Sequence, residues 1–344
     1  MSDQQSRTEI RELTQAAIGV IEAPGRATVI SAENPLPAVA RDATSDAPPF
    51  ELFHFGFSIC SHKVRAVLSE LGLEFGSNQF AGPTKYENYT PEYVRLRLQS
   101  DVAKTSKFVS GFSGASSVDD DGFDPLVVPT LVDNQAGKVL ADSKLICLYL
   151  VNTYGGGHDL LPDDLKDRIL QEMDVVDQTP HVALLYGADP EGDTRPTDIQ
   201  SRMPGIHQIK FESIKGHMSS VQGDANLMAA YKAKLEKEKN AEAFVVDGTA
   251  MQDATQLAER LIADLETTLQ ASTGTWLFDD RFTLADLVWG VSLLRLDYLG
   301  KSQFWDGDTP RPNVKAYYQR LAARPCLINA IVDWPGSRKR LQTS

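Results

Sequence analysis

The chain has 344 residues, 42% of them hydrophobic and 24% charged, with a formal net charge of −13. Such a composition is globular and long enough for two domains around substantial cores, and its acidic balance argues against a surface that tracks nucleic-acid phosphates. Three cysteines, Cys60, Cys147 and Cys326, with no Cys-x-x-Cys spacing, speak against a disulfide scaffold and a four-ligand metal site.

The first 48 residues are weakly patterned. Arg11-Glu-Leu-Thr-Gln-Ala-Ala reads as a short helix, while Asn34-Pro-Leu-Pro and Asp46-Ala-Pro-Pro read as extended. This segment, 1–48, is taken as an extension packed on the next domain or partly disordered. From Phe50 the pattern sharpens. Glu51-Leu-Phe-His-Phe reads as a strand. Ile59, Val64, Val67, Leu68 and Leu71 then recur at helical spacing, and Gly72 is a fitting helix stop. Leu73 to Phe80 reads as a second strand, which makes a β-α-β opening with a parallel crossover. The next forty-odd residues show no clear strand, and Gly111 to Asp124 reads as a loop. Leu126 to Val132, a turn at Asp133 to Lys138, and Val139-Leu-Ala form an antiparallel hairpin. Asp142 caps a helix that runs to about Tyr154.

Beyond Tyr154 the strand signals fade. Leu161-Pro-Asp-Asp carries the proline and acids of a helix start. Residues 186–205 read as a loop and residues 206–245 as mostly helix. The mixed-charge run Lys232 to Lys239 in it reads as a solvated face. Ala254, Leu257, Ala258, Leu261, Ile262, Leu265 and Leu269 form one apolar stripe. Thr283 and Asp286 make a capping box, with Phe282 and Leu287 as a hydrophobic staple. The fold expected is an α/β domain at 49–154 followed by an all-α domain at 160–335.

Cys60 carries the strongest chemical signal. It falls in the first turn of the first clear helix, where unpaired N–H groups and the positive end of the helix dipole favour a thiolate. Lys63 and Arg65 add positive charge nearby. Ser58 and Ser61 flank it as cap and first-turn residues. Cys147 and Cys326 sit among apolar neighbours and read as core. Val128-Pro129-Thr130 places a proline inside the strand read at Leu126 to Val132, which fits an edge, a bulge or a cis bond and leaves the Val128 backbone open to a ligand. Asp142-Ser143 opens a helix that can either cap itself or bind a carboxylate.

These pieces, in this order, resemble the glutathione transferase superfamily over roughly residues 50 to 335. The resemblance implies a thioredoxin-like first domain and a helical substrate domain. It implies that the Val128-Pro129 backbone pairs with the cysteinyl part of glutathione and that Asp142 and Ser143 hold its γ-glutamyl end. A cysteine two residues beyond Ser58, in Ser58-Ile-Cys-Ser-His-Lys-Val-Arg, is similar to the glutathione-dependent reductive dehalogenases of chlorinated hydroquinones, of the longer bacterial type. So are Tyr93-Val-Arg-Leu-Arg-Leu, Thr179-Pro-His-Val-Ala-Leu-Leu-Tyr and the long N-terminal arm.

That resemblance implies glutathione as co-substrate, a halogenated hydroquinone as the small aromatic substrate, and no metal or flavin. A homodimer in the cytoplasm is expected, with no nucleic-acid or membrane partner. In the reaction implied, Cys60 exchanges thiols with a glutathionyl adduct, while Ser58 and Ser61 steady a glutathione thiolate. His54, His62, His181, Tyr86 and Tyr186 are candidates for the ring-side acid or base, and Arg95 and Arg97 for stabilising a phenolate. A glutathionyl-hydroquinone reductase, a β-aryl ether cleaving or conjugating transferase, and a non-catalytic glutathione-binding scaffold stay open as alternatives.

Overall fold

The computed structural model describes residues 3–22, 28–37, 47–82, 85–115 and 122–337. Five strands, β1 (Thr28–Ile30), β2 (Phe50–Phe55), β3 (Phe75–Phe80), β4 (Thr130–Asp133) and β5 (Lys138–Ala141), form one sheet in the order β1-β3-β2-β4-β5. β2 runs parallel to β3, with Phe50 opposite Phe75, and antiparallel to β4, with Phe53 opposite Thr130. β4 and β5 are the expected hairpin, with Asp133 opposite Lys138. β1 pairs antiparallel with β3. It was not anticipated, because three residues are too few to show a period.

Strand alternation sorts the side chains into two layers. Leu52 and Leu131 join a core with Val64 of α2 (Ile59–Glu70) and Ile146 of α5 (Ser143–Tyr154). Phe53 and Val132 face the other way, against Ala17 of α1 (Asp3–Gly19) and Tyr93 and Leu96 of α3 (Pro91–Arg97). Each such side chain, fully buried, contributes roughly 1.5–3 kcal/mol. The extension is therefore longer in helix than the reading at Arg11 suggested, and it packs on the sheet. The forty residues after β3 hold α3 and the short α4 (Asp101–Thr105), so Arg95 and Arg97 stand on a helix. Part of the loop expected from Gly111 to Asp124 lies outside the described residues.

The second half is helical: α6 (Lys166–Gln178), α7 (His181–Tyr186), α8 (Thr197–Arg202), α9 (Ile206–Ser220), α10 (Ala225–Val246), α11 (Gly248–Ala271), α12 (Leu284–Tyr298), α13 (Gln303–Asp306), α14 (Pro312–Ala322) and α15 (Pro325–Leu327). α6 starts at Lys166 rather than Leu161, because Pro162 to Leu165 closes a turn first, with Leu165 N donating to Pro162 O at 3.0 Å. α8 lies inside the stretch read as loop. No helix among the described residues is long and apolar enough to cross a membrane.

α12 is buried on every side from Leu284 to Leu296, as the central helix of a bundle must be. Its start is fixed by Asp286. One carboxylate oxygen accepts from Thr283 N at 2.8 Å and Thr283 Oγ1 at 3.0 Å. The other accepts from Leu277 N and from the Tyr317 hydroxyl, both at 2.8 Å. Asp286→Ala strands these buried donors, and chemical denaturation should report a loss of about 3 kcal/mol. Asp286→Asn should lose less, because one acceptor survives.

The chain end returns to the first domain. The Arg65 guanidinium lies 4.4 Å above the Trp334 ring and donates to Ala330 O, Phe55 O and Gly56 O, while facing His54 Nδ1 at 3.0 Å. Arg65 is thus a fastener between domains, turned away from Cys60. Cys147 and Cys326 are both buried in the core, and burial pushes the Cys326 thiol up to about 12.

Candidate active site

The sheet register brings three segments to one end. Thr130 of β4 lies opposite both Phe53 of β2 and Ala141 of β5. The turn into α2, the Val128–Pro129 bond and the Asp142–Ser143 pair therefore emerge side by side. The Val128–Pro129 peptide is cis. It is fastened from α3, where Arg97 donates to Pro129 O, to Thr130 Oγ1 at 3.0 Å and to Asp124 O at 3.0 Å. Arg97 is buried in this task and cannot meet a phenolate. Arg95 is exposed and pairs with Asp224 at 3.5 Å.

Cys60 is the second residue of α2 and is half-buried. Ser58 is the N-cap, its Oγ accepting from Ser61 N at 3.3 Å. Ser61 is fully buried, and its Oγ has no hydrogen-bond partner among the described residues. The hydroxyl that bonds the Cys60 sulfur is Ser143, from the start of α5. Ser143 was expected only at the γ-glutamyl end. Asp142 has a left-handed backbone (φ 72°), and its Oδ1 accepts from Leu145 N at 3.1 Å, so it does cap the helix. Burial pushes the Asp142 carboxyl up from its ordinary range.

Lys63 follows Cys60 by one helical turn and points inward, forming a buried ion pair with Asp177 of α6. The helix N-terminus and Lys63 were expected to depress the Cys60 thiol. Instead burial pushes it up, by more than Lys63 and the Ser143 hydrogen bond pull it down. Asp177 also opposes them, because its carboxylate offsets the Lys63 charge. The balance of these effects favours the protonated thiol.

The ring-side candidates separate. His54 is buried between Ser77 Oγ at 2.8 Å and Arg65, which makes it a packing residue. His62 is buried. Its Nε2 lies 2.9 Å from Gly56 O and 2.9 Å from Ser337 Oγ, because the returning chain end covers it. His181 stays at the site. It is 1% exposed and bonded through Nε2 to Ser292 Oγ at 3.0 Å. Burial, then the Lys63 and Arg295 charges, keep it neutral.

Tyr86 and Tyr186 belong to a second cluster, between the first domain and α9–α10. The run Lys232 to Lys239 is not a solvated face there. Lys234 is buried and bridges Asp124 at 2.9 Å and Glu238 at 2.8 Å, and Glu238 also takes Lys210 at 2.8 Å and His207 at 3.1 Å. Burial pushes the Asp124 carboxyl up, but Lys234 and Lys237 together pull it further down, to about 2. A carboxyl lowered on folding contributes stability above its unfolded value and loses it as pH falls. Acid titration should therefore show a stability difference between the wild type and Asp124→Asn of roughly 2 kcal/mol at neutral pH. That difference should vanish as pH drops through about 2.

Comparison with known proteins places this geometry. Residues 57–153 match the model of the glutathione S-transferase N-terminal domain, and residues 248–320 that of the C-terminal domain. The chain is 51% identical, over 314 residues covering 91% of each protein, to the 2,5-dichlorohydroquinone reductive dechlorinase of Sphingobium indicum. It is 25% identical to the tetrachloro-p-hydroquinone reductive dehalogenase of Sphingobium chlorophenolicum, over 84% of this chain and 99% of that one. Among solved structures, the beta-etherase LigF from Sphingobium sp. strain SYK-6 superposes with a TM-score of 0.55 at 20% identity, over 82% of this chain and 98% of LigF. Ure2p in complex with glutathione gives 0.51 at 19%, over 83% and 95%. These two show the fold alone.

Proposed function

Because the chain belongs to the glutathione S-transferase superfamily, we propose that it removes halogen reductively from chlorinated hydroquinones, with glutathione as the thiol donor and Cys60 as the exchanging thiol. The observation that carries the site assignment is the half-buried Cys60 at the start of α2, hydrogen-bonded by Ser143 and set beside the Lys63 charge. The identity to a 2,5-dichlorohydroquinone reductive dechlorinase over nine-tenths of both chains supports the substrate class.

Glutathione fits the end of the sheet where the three segments meet. The Val128 backbone beside cis-Pro129 would pair with the cysteinyl unit, and Asp142 and Ser143 would hold the γ-glutamyl end. In the first step the glutathione thiolate adds to the carbon bearing chlorine, in a quinone-like tautomer of the ring. Chloride leaves with the electron pair of its bond, and a glutathionyl hydroquinone forms. In the second step the Cys60 thiolate attacks the sulfur of that adduct. A sulfur–sulfur bond forms, the carbon–sulfur bond breaks, and the ring carbon takes a proton. A second glutathione then frees Cys60 and leaves as glutathione disulfide. Two thiols are oxidised to one disulfide as one carbon–chlorine bond becomes carbon–hydrogen. A serine oxygen cannot undertake the exchange, which is the chemical reason for a cysteine here. Ser58 and Ser61, expected to steady the glutathione thiolate, keep that role within this proposal, beside the Ser143 hydroxyl that bonds the Cys60 sulfur.

A cytoplasmic homodimer is the form we propose. All three cysteines are free thiols, which supports a reducing compartment, and mass measurement in solution reads the dimer. Anaerobic incubation with 2,5-dichlorohydroquinone and glutathione tests the activity. Chloride, chlorohydroquinone and glutathione disulfide should appear in equal amounts. Chloride with only a stable adduct would make the protein a conjugating enzyme. Reduction of an added adduct without chloride release would make it a glutathionyl-hydroquinone reductase.

A further inference from the structure

The Tyr86 hydroxyl and His207 Nε2, both in the second cluster, are buried and have no hydrogen-bond partner among the described residues. Tyr86 is 5% exposed and His207 4% exposed. Native interiors leave few such groups unpaired, and one that persists calls for a missing ligand or a functional reason. Both atoms belong to one locus around Tyr186. Tyr86 packs in the same cluster as Tyr186, and burial, then Tyr186 and Glu238, push its hydroxyl up from its ordinary value. The His207 ring centre lies 5.6 Å from that of Tyr186, and Lys210 Nζ lies 4.1 Å from the Tyr186 ring. Tyr186 itself is half-buried.

The locus adjoins the thiol. Tyr186 ends the short helix α7, whose first residue, His181, feels the Lys63 charge under Cys60. Five residues of helix separate them, about 7–8 Å along the axis. Phe57, from the turn that leads into Cys60, packs against the same apolar cluster as Tyr86 and meets Tyr298 edge-on at 5.4 Å. Phe57 thus ties the turn that carries Cys60 to the cluster that holds Tyr86 and Tyr186.

We propose that Tyr86 and His207 bind the hydroxyl group of the aromatic substrate and so set which ring carbon meets the thiol. The chemistry of the two atoms matches a phenol. His207 Nδ1 lies 3.1 Å from the Glu238 carboxylate and donates to it, which leaves Nε2 to meet a substrate hydroxyl. The Tyr86 hydroxyl is free to donate. A phenolic O–H both donates and accepts, so one such group can bond to each. Lys210 and Lys234, both on Glu238, place positive charge near a phenolic oxygen that gains negative character.

The backbone at Tyr86 is held for this position. Its φ of 46° is left-handed, where a bulky side chain is an outlier. Neighbouring Glu87 clamps the turn, accepting from Ala81 N at 2.5 Å and from Glu22 N at 3.1 Å. The N-terminal extension, through Glu22, thereby braces the residue that reads the substrate. His207, Lys210, Lys234 and Glu238 lie between the two segments that match the family models, so this recognition is added to the common fold.

The inference rests on the substrate being a phenol, as proposed above. The test is binding and turnover by the full chain and by Tyr86→Phe and His207→Gln, with 2,5-dichlorohydroquinone and its dimethyl ether as probes. Wild type should bind the hydroquinone at least about tenfold tighter than the ether. Each variant should raise KM for the hydroquinone about tenfold, change KM for glutathione less than twofold, and erase the preference over the ether. Tyr86→Phe should melt at the wild-type temperature or above, since it removes an unpaired buried hydroxyl. Unchanged hydroquinone KM in both variants would overturn the proposal, as would equal losses for glutathione and hydroquinone with lowered melting. If wild type prefers the hydroquinone through Tyr86 yet releases no chloride, the dehalogenase reading fails and this site stands. If chloride is released and both variants match wild type, the site fails alone.

Discussion

Cys60→Ser is expected to release chloride from a chlorinated hydroquinone while halting the dechlorinated product, so that the glutathionyl adduct accumulates. The first displacement uses the thiolate of glutathione and does not need the protein sulfur. The second needs a sulfur nucleophile, and the rate of adduct reduction should fall about 10³-fold or more. Cys147→Ser and Cys326→Ser should leave it unchanged, because both thiols are buried in the core and pushed up by that burial. In wild type, adduct reduction should climb through the neutral and alkaline range without a plateau near pH 7. Burial holds the Cys60 thiol above its ordinary value, so the reactive thiolate grows as pH rises. Product chromatography on the two stages, with chloride followed in parallel, separates these expectations.

The second large effect concerns the ion pair beneath the thiol. Lys63 and Asp177 are 2% and 5% exposed. Removing one partner leaves an uncompensated buried charge, and Lys63→Met or Asp177→Asn should each cost about 3–5 kcal/mol in denaturant unfolding. Replacing both by apolar residues, Lys63→Met with Asp177→Leu, should restore most of that loss, since a well-packed apolar pair often matches a buried ion pair. The restored protein should still reduce the adduct slowly, because the Lys63 charge is the strongest pull toward the Cys60 thiolate. Recovered stability with full activity would mean that the pair serves the fold alone.

The parts legible in the sequence were local. Helix α2 announced itself through apolar spacing, the Ser58 cap and Gly72, which takes the left-handed conformation expected of a stop (φ 63°). The β4–β5 hairpin, the Asp142 cap and the Thr283–Asp286 box likewise lie within a few residues of one another. What the sequence concealed depends on distant partners. Asp177 is 114 positions from Lys63, and nothing near Cys60 revealed that its neighbouring charge was already engaged. The direction of the Cys60 shift followed from burial, which only packing creates. Nothing near His62 showed that Ser337, 275 residues away, would meet its ring. Lys234 and Glu238 looked like an ordinary helix surface until Asp124 and Lys210 met them from other elements. Arg97 gave no sign that it would fasten the cis-Pro129 segment.

The central claim is that Cys60 takes the glutathione sulfur from the adduct. A single turnover with preformed glutathionyl hydroquinone and no free glutathione tests it most directly. The account predicts one equivalent of free hydroquinone per chain, with a glutathione mixed disulfide mapped by peptide mass spectrometry to Cys60. Hydroquinone release that waits for added glutathione, or a mixed disulfide on Cys147 or Cys326, would contradict it.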